Sequence, residues 1–200
     1  MAERRPEVVL VRHGETEWSR SGQHTGVTDV PLTPAGRRQA ELLAARLQAW
    51  RFTRVLSSPL TRALETCRLA GLGDVVEVVA SLREWDYGSY EGRTTAEIRT
   101  ERPGWSLWRD GAPGGERVEE VGARIETVIT ALRESPGDVA VFAHGHVLRV
   151  LTARWLGLAP GEGRLFALGT ATLSVLGYER ETPVVLHWNQ ESPGRRQQAD

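Results

Sequence analysis

The sequence alternates short apolar segments with longer segments that carry helix signals, and this alternation constrains the fold more than any other feature. Short, mainly apolar runs of this kind are typical of buried strands. They lie at residues 7–11, 54–57, 75–79, 138–142, 172–178 and 184–188. Strands that alternate with helices favour a three-layer α/β sandwich, in which helices flank a largely parallel sheet.

Helix boundaries are marked by capping residues. Thr33 followed by Pro34 predicts a helix that begins at Pro34 and runs to Trp50. Ser58-Pro59 repeats the signal and predicts a helix that ends at Leu69. Amphipathic patterns predict two more helices, over 116–134 and 147–156.

The remaining segments lack such patterns. Residues 82–115 contain glycines, prolines and tryptophans without a clear period, and we expect a loop-rich region there. No linker divides the chain, so we expect one domain over residues 1–191. The end of the chain, 192–200, is predicted to be a disordered tail.

Composition narrows the class of protein. A formal net charge of −1 does not favour nucleic acid or an acidic membrane surface as a partner. A single cysteine excludes an intramolecular disulfide framework. No apolar stretch approaches the roughly 20 residues of a membrane-spanning helix, and the N-terminus does not resemble a signal peptide. We therefore expect a cytoplasmic protein without a membrane partner, whose oligomeric state the sequence does not specify.

All 25 basic residues are arginine. Without lysine, the chain cannot form a Walker-type phosphate loop, a Schiff base or a Ser–Lys dyad. If this protein handles phosphate, arginine and histidine side chains must bind it.

Polar segments follow three of the predicted strands. They are Arg12-His13-Gly14, residues 57–62 and His144-Gly145-His146. In open α/β sheets, ligands bind outside the carboxyl ends of the strands. We therefore expect these segments to form one pocket.

The residue types in these segments suit phosphoryl transfer. A neutral imidazole such as that of His13 can attack phosphorus through one ring nitrogen while the other donates to a backbone carbonyl. Arg12 and Arg62 can each bind two oxygens of the transferring group, and His144 can donate another hydrogen bond. The leaving alkoxide needs a proton, for which Glu84 is the candidate acid.

The chain resembles the histidine phosphatase superfamily, which includes cofactor-dependent phosphoglycerate mutase. The matching motifs occur in family order at residues 10–18, 32–36, 57–63, 82–84, 90–92 and 143–145. The resemblance implies a mixed, mostly parallel sheet between helices and a reaction that needs neither metal nor cofactor. It also implies that His13 is the phosphorylated nucleophile, that Arg12, Arg62 and His144 bind the phosphate, and that Glu84 is the proton donor.

Two departures from the mutases favour transfer of the phosphoryl group to water. The mutases carry a long insertion with a substrate-binding lysine, whereas only 59 residues separate Glu84 from His144 here and lysine is absent. We therefore predict a phosphatase for small phosphate monoesters. The alternatives are mutase-type phosphoryl transfer and a catalytically silent sensor of phosphorylated ligands, although a sensor would not need a proton donor.

Residues 21–29, 83–88, 108–111 and 142–149 are similar to the fungal sedoheptulose 1,7-bisphosphatase branch, which implies sugar phosphates or bisphosphates as substrates. By this resemblance His24, Thr25, Tyr87 and Arg149 contact the substrate, and the Arg149 guanidinium would suit a second phosphate. His24 stands where that branch has tyrosine. Ser19 stands where asparagine is common in the wider family, and we expect it to bind phosphate more weakly.

Overall fold

A computed structural model describes residues 5–192. The predicted disordered tail therefore lies outside the described residues, except for Ser192. Within residues 5–192, none of the helices combines the length and the apolar composition required to cross a bilayer.

A six-stranded mixed sheet forms the middle layer. Its strands are β1 (Val8–Arg12), β2 (Arg54–Ser57), β3 (Val76–Val78), β4 (Val139–Ala143), β5 (Leu173–Glu179) and β6 (Thr182–Gln190). Their order across the sheet is β3-β2-β4-β1-β5-β6. The first four strands are parallel, while β5 and β6 are antiparallel to their neighbours. The predicted mixed, mostly parallel sheet is confirmed.

Helices cover both faces of this sheet. They are α1 (Glu17–Ser21), α2 (Pro34–Leu47), α3 (Thr61–Leu69), α4 (Thr95–Glu101), α5 (Leu107–Asp110), α6 (Val118–Arg133) and α7 (Gly145–Trp155). Because side chains alternate along a strand, β1 directs Val8 and Leu10 into one core and Val9 and Val11 into the other. The first core is completed by α6 and α7, and the second by α2 and α3.

The prediction that Ser58-Pro59 caps α3 is wrong. The helix begins at Thr61, and its N-cap residue, Leu60, makes no side-chain capping bond. The Ser58 hydroxyl accepts a hydrogen bond from the Leu60 amide at 3.3 Å, within the turn between β2 and α3. Because Ser58 precedes the helix by three residues, its hydroxyl lies close to the end of β4, where it contacts His144.

Three short helices, α1, α4 and α5, lie outside the segments that were predicted to be helical. With five residues and no buried side chain, α1 is too short to show an apolar period. By contrast, α4 has a recognisable signal: the Thr94 hydroxyl and the Glu97 carboxylate cap each other's backbone amides. Thr-x-x-Glu is the sequence pattern of such a capping box, so α4 was detectable without the structure. The third helix, α5, has four residues and follows no such signal.

Candidate active site

The ends of three adjacent parallel strands bring the predicted segments together. In the register of β1 and β4, Arg12 pairs with Ala143. Just beyond, the His13 amide donates to the Ala143 carbonyl at 3.0 Å. On the other side of β4, the Ser58 amide donates to the Phe142 carbonyl at 2.9 Å. His13, His144 and Ser58 therefore lie next to one another at the carboxyl edge of the sheet.

His13 is held in one tautomer. Its side chain is 4% exposed, and its Nδ1 lies 2.7 Å from the Gly14 carbonyl oxygen. Since a carbonyl can only accept, Nδ1 carries the proton and Nε2 presents a lone pair. Burial, together with the charges of Arg62 and Arg12, lowers the pKa of His13 well below its ordinary value. The imidazole is therefore neutral near pH 7, as a nucleophile must be.

His144 has the opposite tautomer. Its ring centroid lies 5.2 Å from that of His13. Arg62 donates from Nε to Nδ1 of His144 at 3.1 Å, so the proton of the neutral ring is on Nε2, 2.7 Å from the Ser58 hydroxyl oxygen. Burial and the charge of Arg62 lower the pKa of His144 well below its ordinary value. The ring thus offers a fixed N–H donor beside the nucleophile.

Arg62 is completely buried, and backbone carbonyls surround its guanidinium group. Nη1 donates to the carbonyl of Thr28 at 2.9 Å, while Nη2 donates to those of Thr25 and Gly26 at 3.2 and 2.9 Å. With the bond to His144, protein acceptors take four of the five N–H groups of this side chain. A contact from Arg62 to two phosphate oxygens, as predicted, would require at least one of these bonds to break.

Arg12 reaches the same region from the end of β1. One of its terminal nitrogens donates to the Leu168 carbonyl. Its guanidinium packs against the first turn of α7, where a Cβ atom on Gly145 would lie 3.2 Å from the central carbon of the guanidinium. Glycine at position 145 therefore leaves room for the arginine beside His13.

Glu84 is anchored on the first turn of α7. Its Oε1 accepts from the amides of Trp85 and Val147, both at 2.9 Å, and its Oε2 accepts from the amide of His146 at 3.0 Å. Unpaired amides at a helix N-terminus favour a negative group. These amides are available because α7 begins at Gly145, two residues before the predicted start.

Arg124 on α6 holds the backbone that carries Glu84. Its guanidinium donates to the carbonyls of Ser81, Arg83 and Glu84 and forms an ion pair with Glu116. Glu116 in turn accepts from the Asp86 amide at 3.0 Å. The carboxyl of Glu84 is thus fixed both at its oxygens and at its own peptide group.

A cleft of about 260 Å³ opens beside His13. The residues that line it are Arg12, His13, Ser19, Gly22, Gln23, His24, Thr25, Glu84, Tyr87, Thr95 and His146. This set includes three of the five predicted catalytic residues and four of the five predicted substrate-binding residues. Arg62 and His144 are fully buried and do not line it. Within residues 5–192, no group of three or more His, Cys, Asp or Glu side chains is arranged to hold a metal ion.

The predicted substrate-binding residue Arg149 also lies outside this lining. Its guanidinium donates to the carbonyls of Gly163 and Arg164 at 3.1 and 3.2 Å and lies 4.6 Å from the ring centroid of Trp108. Contact between Arg149 and a second phosphate therefore stays a prediction. The Ser19 side chain does line the cleft, but its hydroxyl is engaged with the backbone of Thr16 in the capping box of α1.

Tyr87, His24 and His146 form one wall of the cleft. Burial raises the pKa of Tyr87 well above its ordinary value, so its hydroxyl stays protonated, and it is hydrogen-bonded to Nδ1 of His146 at 2.7 Å. The His24 ring centroid lies 4.9 Å from that of Tyr87, and burial lowers the pKa of His24. Gln23, Thr95 and His146 line the cleft without having been predicted to bind substrate. His146 could have been predicted from the sequence to lie at the site, because it is two residues after His144. No sequence pattern marks Thr95 or Gln23 as part of the site.

Comparisons with known proteins agree with this geometry. The chain is 44% identical to an acid phosphatase of Mycobacterium tuberculosis over 90% of both chains. It is 39% identical to a sedoheptulose 1,7-bisphosphatase of Saccharomyces cerevisiae over 76% of this chain and 68% of the yeast protein. Among solved structures, a mycobacterial glucosyl-3-phosphoglycerate phosphatase in complex with VO3 aligns with a TM-score of 0.84 and 30% identity, over 93% of this chain and 100% of that chain. Residues 8–191 match the family model for branch 1 of the histidine phosphatase superfamily, and the chain belongs to that superfamily.

Proposed function

We propose that this protein hydrolyses small sugar phosphates by way of a phosphoryl group carried on His13. The protein is a phosphoric monoester hydrolase, in agreement with its family and with the phosphatases among its relatives. The observation that carries the proposal is the buried, neutral His13, whose Nδ1 proton is held by the Gly14 carbonyl so that Nε2 is free to attack.

In the first half-reaction, Nε2 of His13 forms a bond to phosphorus as the bond between phosphorus and the leaving oxygen breaks. The proton for the departing alkoxide arrives with the phosphate monoanion of the substrate, and Glu84 transfers it to the leaving oxygen. Arg12 stabilises the charge on the equatorial oxygens, and the Nε2–H group of His144 does so once it exchanges the Ser58 hydroxyl for a phosphate oxygen. In the second, water attacks the phosphohistidine and loses a proton to the Glu84 carboxylate. The P–N bond breaks, its electron pair returns to Nε2, and inorganic phosphate leaves. This route supplies nucleophile, acid and charge stabilisation from side chains and requires no metal.

Sugar phosphates are proposed because two of the similar proteins are named for phosphorylated sugar compounds. The cleft offers hydroxyl, amide and imidazole groups beside the phosphate pocket, from Thr25, Gln23, His24 and His146. Such groups can hydrogen-bond to sugar hydroxyls. A cytoplasmic location and a single domain over 1–191 stay part of the proposal, which cell fractionation and limited proteolysis can test.

A substrate panel tests this function directly. We expect release of inorganic phosphate from sugar monophosphates, sugar bisphosphates and p-nitrophenyl phosphate in buffer containing a chelator, with a sugar phosphate giving the highest kcat/KM. Absence of phosphate release from every compound, by protein whose circular dichroism is that of a folded chain, would exclude a phosphatase. Isomerisation of a phosphoglycerate, stimulated by a bisphosphoglycerate and without phosphate release, would indicate a mutase instead.

The lowered pKa of His13 predicts activity on the acidic side of neutrality. The reacting form of His13 is the free base, and burial with Arg62 and Arg12 makes that base harder to protonate. As the pH falls through about 6.5, the ordinary pKa of histidine, kcat/KM should therefore hold, and it should decline only at lower pH. The measurement is a kcat/KM profile, fitted with the substrate's own phosphate pKa fixed by separate titration. The prediction would be contradicted if kcat/KM declined toward low pH with a midpoint at or above about pH 6.5 that belongs to the enzyme.

A further inference from the structure

We propose that Glu91 is a positioning residue, which acts through residues 25–28 to hold Arg62 and, through Arg62, to fix the tautomer of His144. This inference rests on the proposed function, because it assigns Glu91 a part in arranging the phosphate pocket. Glu91 itself does not line the cleft.

The Glu91 carboxylate binds three consecutive backbone amides in the segment between α1 and α2. Oε1 accepts from Gly26 and Thr28, both at 2.8 Å, and Oε2 accepts from Val27 at 3.3 Å. Successive backbone N–H groups that converge in this way form a site for an anion, and here the anion is part of the chain. Hydrogen bonds to an ionised carboxylate are stronger than those between neutral groups. The carboxylate therefore determines how these peptide groups are oriented.

The same peptide groups bind Arg62 on their opposite side. The peptide that joins Thr25 to Gly26 directs its N–H to Glu91 and its carbonyl to Nη2 of Arg62. The next peptide, between Gly26 and Val27, has the same orientation. Since a peptide group is planar, rotation that breaks its bond to Glu91 also turns its carbonyl away from Arg62. The carboxylate and the guanidinium are thus coupled across two peptide planes.

Close packing explains why this segment contains glycine. A Cβ atom on Gly26 would lie 2.5 Å from the Trp85 carbonyl oxygen and 2.8 Å from Oε2 of Glu91. Contacts this short are not tolerated, so a larger residue would push the segment away from both groups. The close approach keeps the three amides within reach of the carboxylate.

Arg62 in turn fixes the tautomer of His144. Its Nε–H occupies Nδ1 of His144 at 3.1 Å, which leaves the proton of the neutral ring on Nε2. If the carbonyls of Thr25 and Gly26 turned away, the buried guanidinium would lose two acceptors and would rotate to find others. His144 would then be free to exchange its proton between the two ring nitrogens.

Three variants at one position separate positioning from general stability. Glu91→Ala removes every acceptor, and we expect kcat for p-nitrophenyl phosphate to fall by about 100-fold, as small displacements of catalytic groups do. Glu91→Gln keeps an oxygen in place of Oε1, which takes both 2.8 Å bonds. Its amide group would face the Val27 amide, a donor against a donor, but that bond is the longest of the three, and we expect this variant to retain kcat within about threefold. Glu91→Asp keeps the charge but is shorter by one methylene, and we expect an intermediate loss of kcat.

The tautomer of His144 distinguishes the two roles of Glu91. It should change if Glu91 positions Arg62, and it should not change if Glu91 only stabilises the fold. In 15N-labelled protein without substrate, imidazole spectra should show His144 protonated at Nε2 in the wild type and in Glu91→Gln. A mixture of tautomers is expected in Glu91→Ala. If Glu91→Ala does not fold, Glu91→Asp should show the same change to a smaller extent.

Asp138 provides the matched control. Its carboxylate is buried and also accepts a backbone amide, that of Glu7 at 2.9 Å, but it lies at the opposite end of β4 from the cleft. Asp138→Ala should lower the free energy of unfolding and leave both kcat and the His144 tautomer unchanged.

Two results would overturn the inference. One is an unchanged His144 tautomer in Glu91→Ala or, if that variant does not fold, in Glu91→Asp. The other is a loss of kcat in Asp138→Ala that matches that of the Glu91 variants at equal loss of stability. A wild-type protein that hydrolyses no phosphate monoester would contradict the proposed function. The link from Glu91 to His144 would still be tested, because the tautomer is measured without substrate.

Discussion

Replacing His13 with alanine is expected to lower kcat for every phosphate monoester by about 10⁴-fold or more. The variant lacks Nε2, the atom that forms the covalent bond. Water could replace Nε2 only if a base other than Glu84 took its proton, because Glu84 is already used to protonate the leaving group. Arg12 and His144 remain in His13→Ala, so binding of inorganic phosphate should weaken much less than turnover. Steady-state kinetics and calorimetric titration measure the two effects separately.

His187 on β6 supplies the control for this experiment. It is an exposed histidine, and His187→Ala should leave kcat and phosphate binding unchanged. Intact-mass measurement after rapid quenching should detect a phosphoryl adduct on the wild type and none on His13→Ala. Full activity in His13→Ala would rule out the covalent route, and a wild type that binds phosphate without turnover would indicate a sensor.

The second large effect is expected from Glu84→Gln, and it should depend on the leaving group. A sugar alkoxide needs a proton as it departs, so kcat for sugar phosphates should fall by about 10²- to 10⁴-fold. The p-nitrophenolate ion leaves without a proton, so the step that forms phosphohistidine should slow much less for p-nitrophenyl phosphate. Single-turnover rates for the two substrates give the comparison, because the later attack by water also uses Glu84.

The glutamine side chain cannot repeat every contact of Glu84. Its oxygen can accept from Trp85 and Val147, but its amide group would face the His146 amide, a donor against a donor. The free energy of unfolding must therefore be measured beside the rates. Equal losses of single-turnover rate for both substrates would show that Glu84 does not protonate the leaving group.

Several parts of the site follow from local sequence patterns. The apolar run before Arg12-His13 and the one before His144 identify two buried strands, and parallel strands bring their carboxyl ends to one edge. Thr33 and Pro34 mark the start of α2, where the Thr33 hydroxyl accepts from the Gly36 amide. These features depend on residues that are neighbours in the chain, and for that reason a single sequence predicts them.

The surroundings of each catalytic group depend instead on distant residues. Glu84 accepts hydrogen bonds from amides at the start of α7, more than 60 residues away in the chain. No sequence pattern near Glu84 predicts these bonds. Arg62 was expected to direct its guanidinium to phosphate, but most of its N–H groups bind carbonyls of residues 25–28. Ser58 was interpreted as a helix cap, yet its hydroxyl contacts His144 across the gap between two strands.

The amino-acid sequence by itself thus determined the α/β sandwich and the placement of His13 and His144 at the carboxyl ends of buried strands, because apolar periodicity and capping are local. Only the tertiary structure decided the tautomers of the two histidines, the anchoring of Glu84 and the position of Arg149 against Trp108. Each of these depends on a hydrogen bond or contact between segments far apart in the chain. Such contacts form only when the register of the strands and the packing of the loops bring donor and acceptor within about 3 Å.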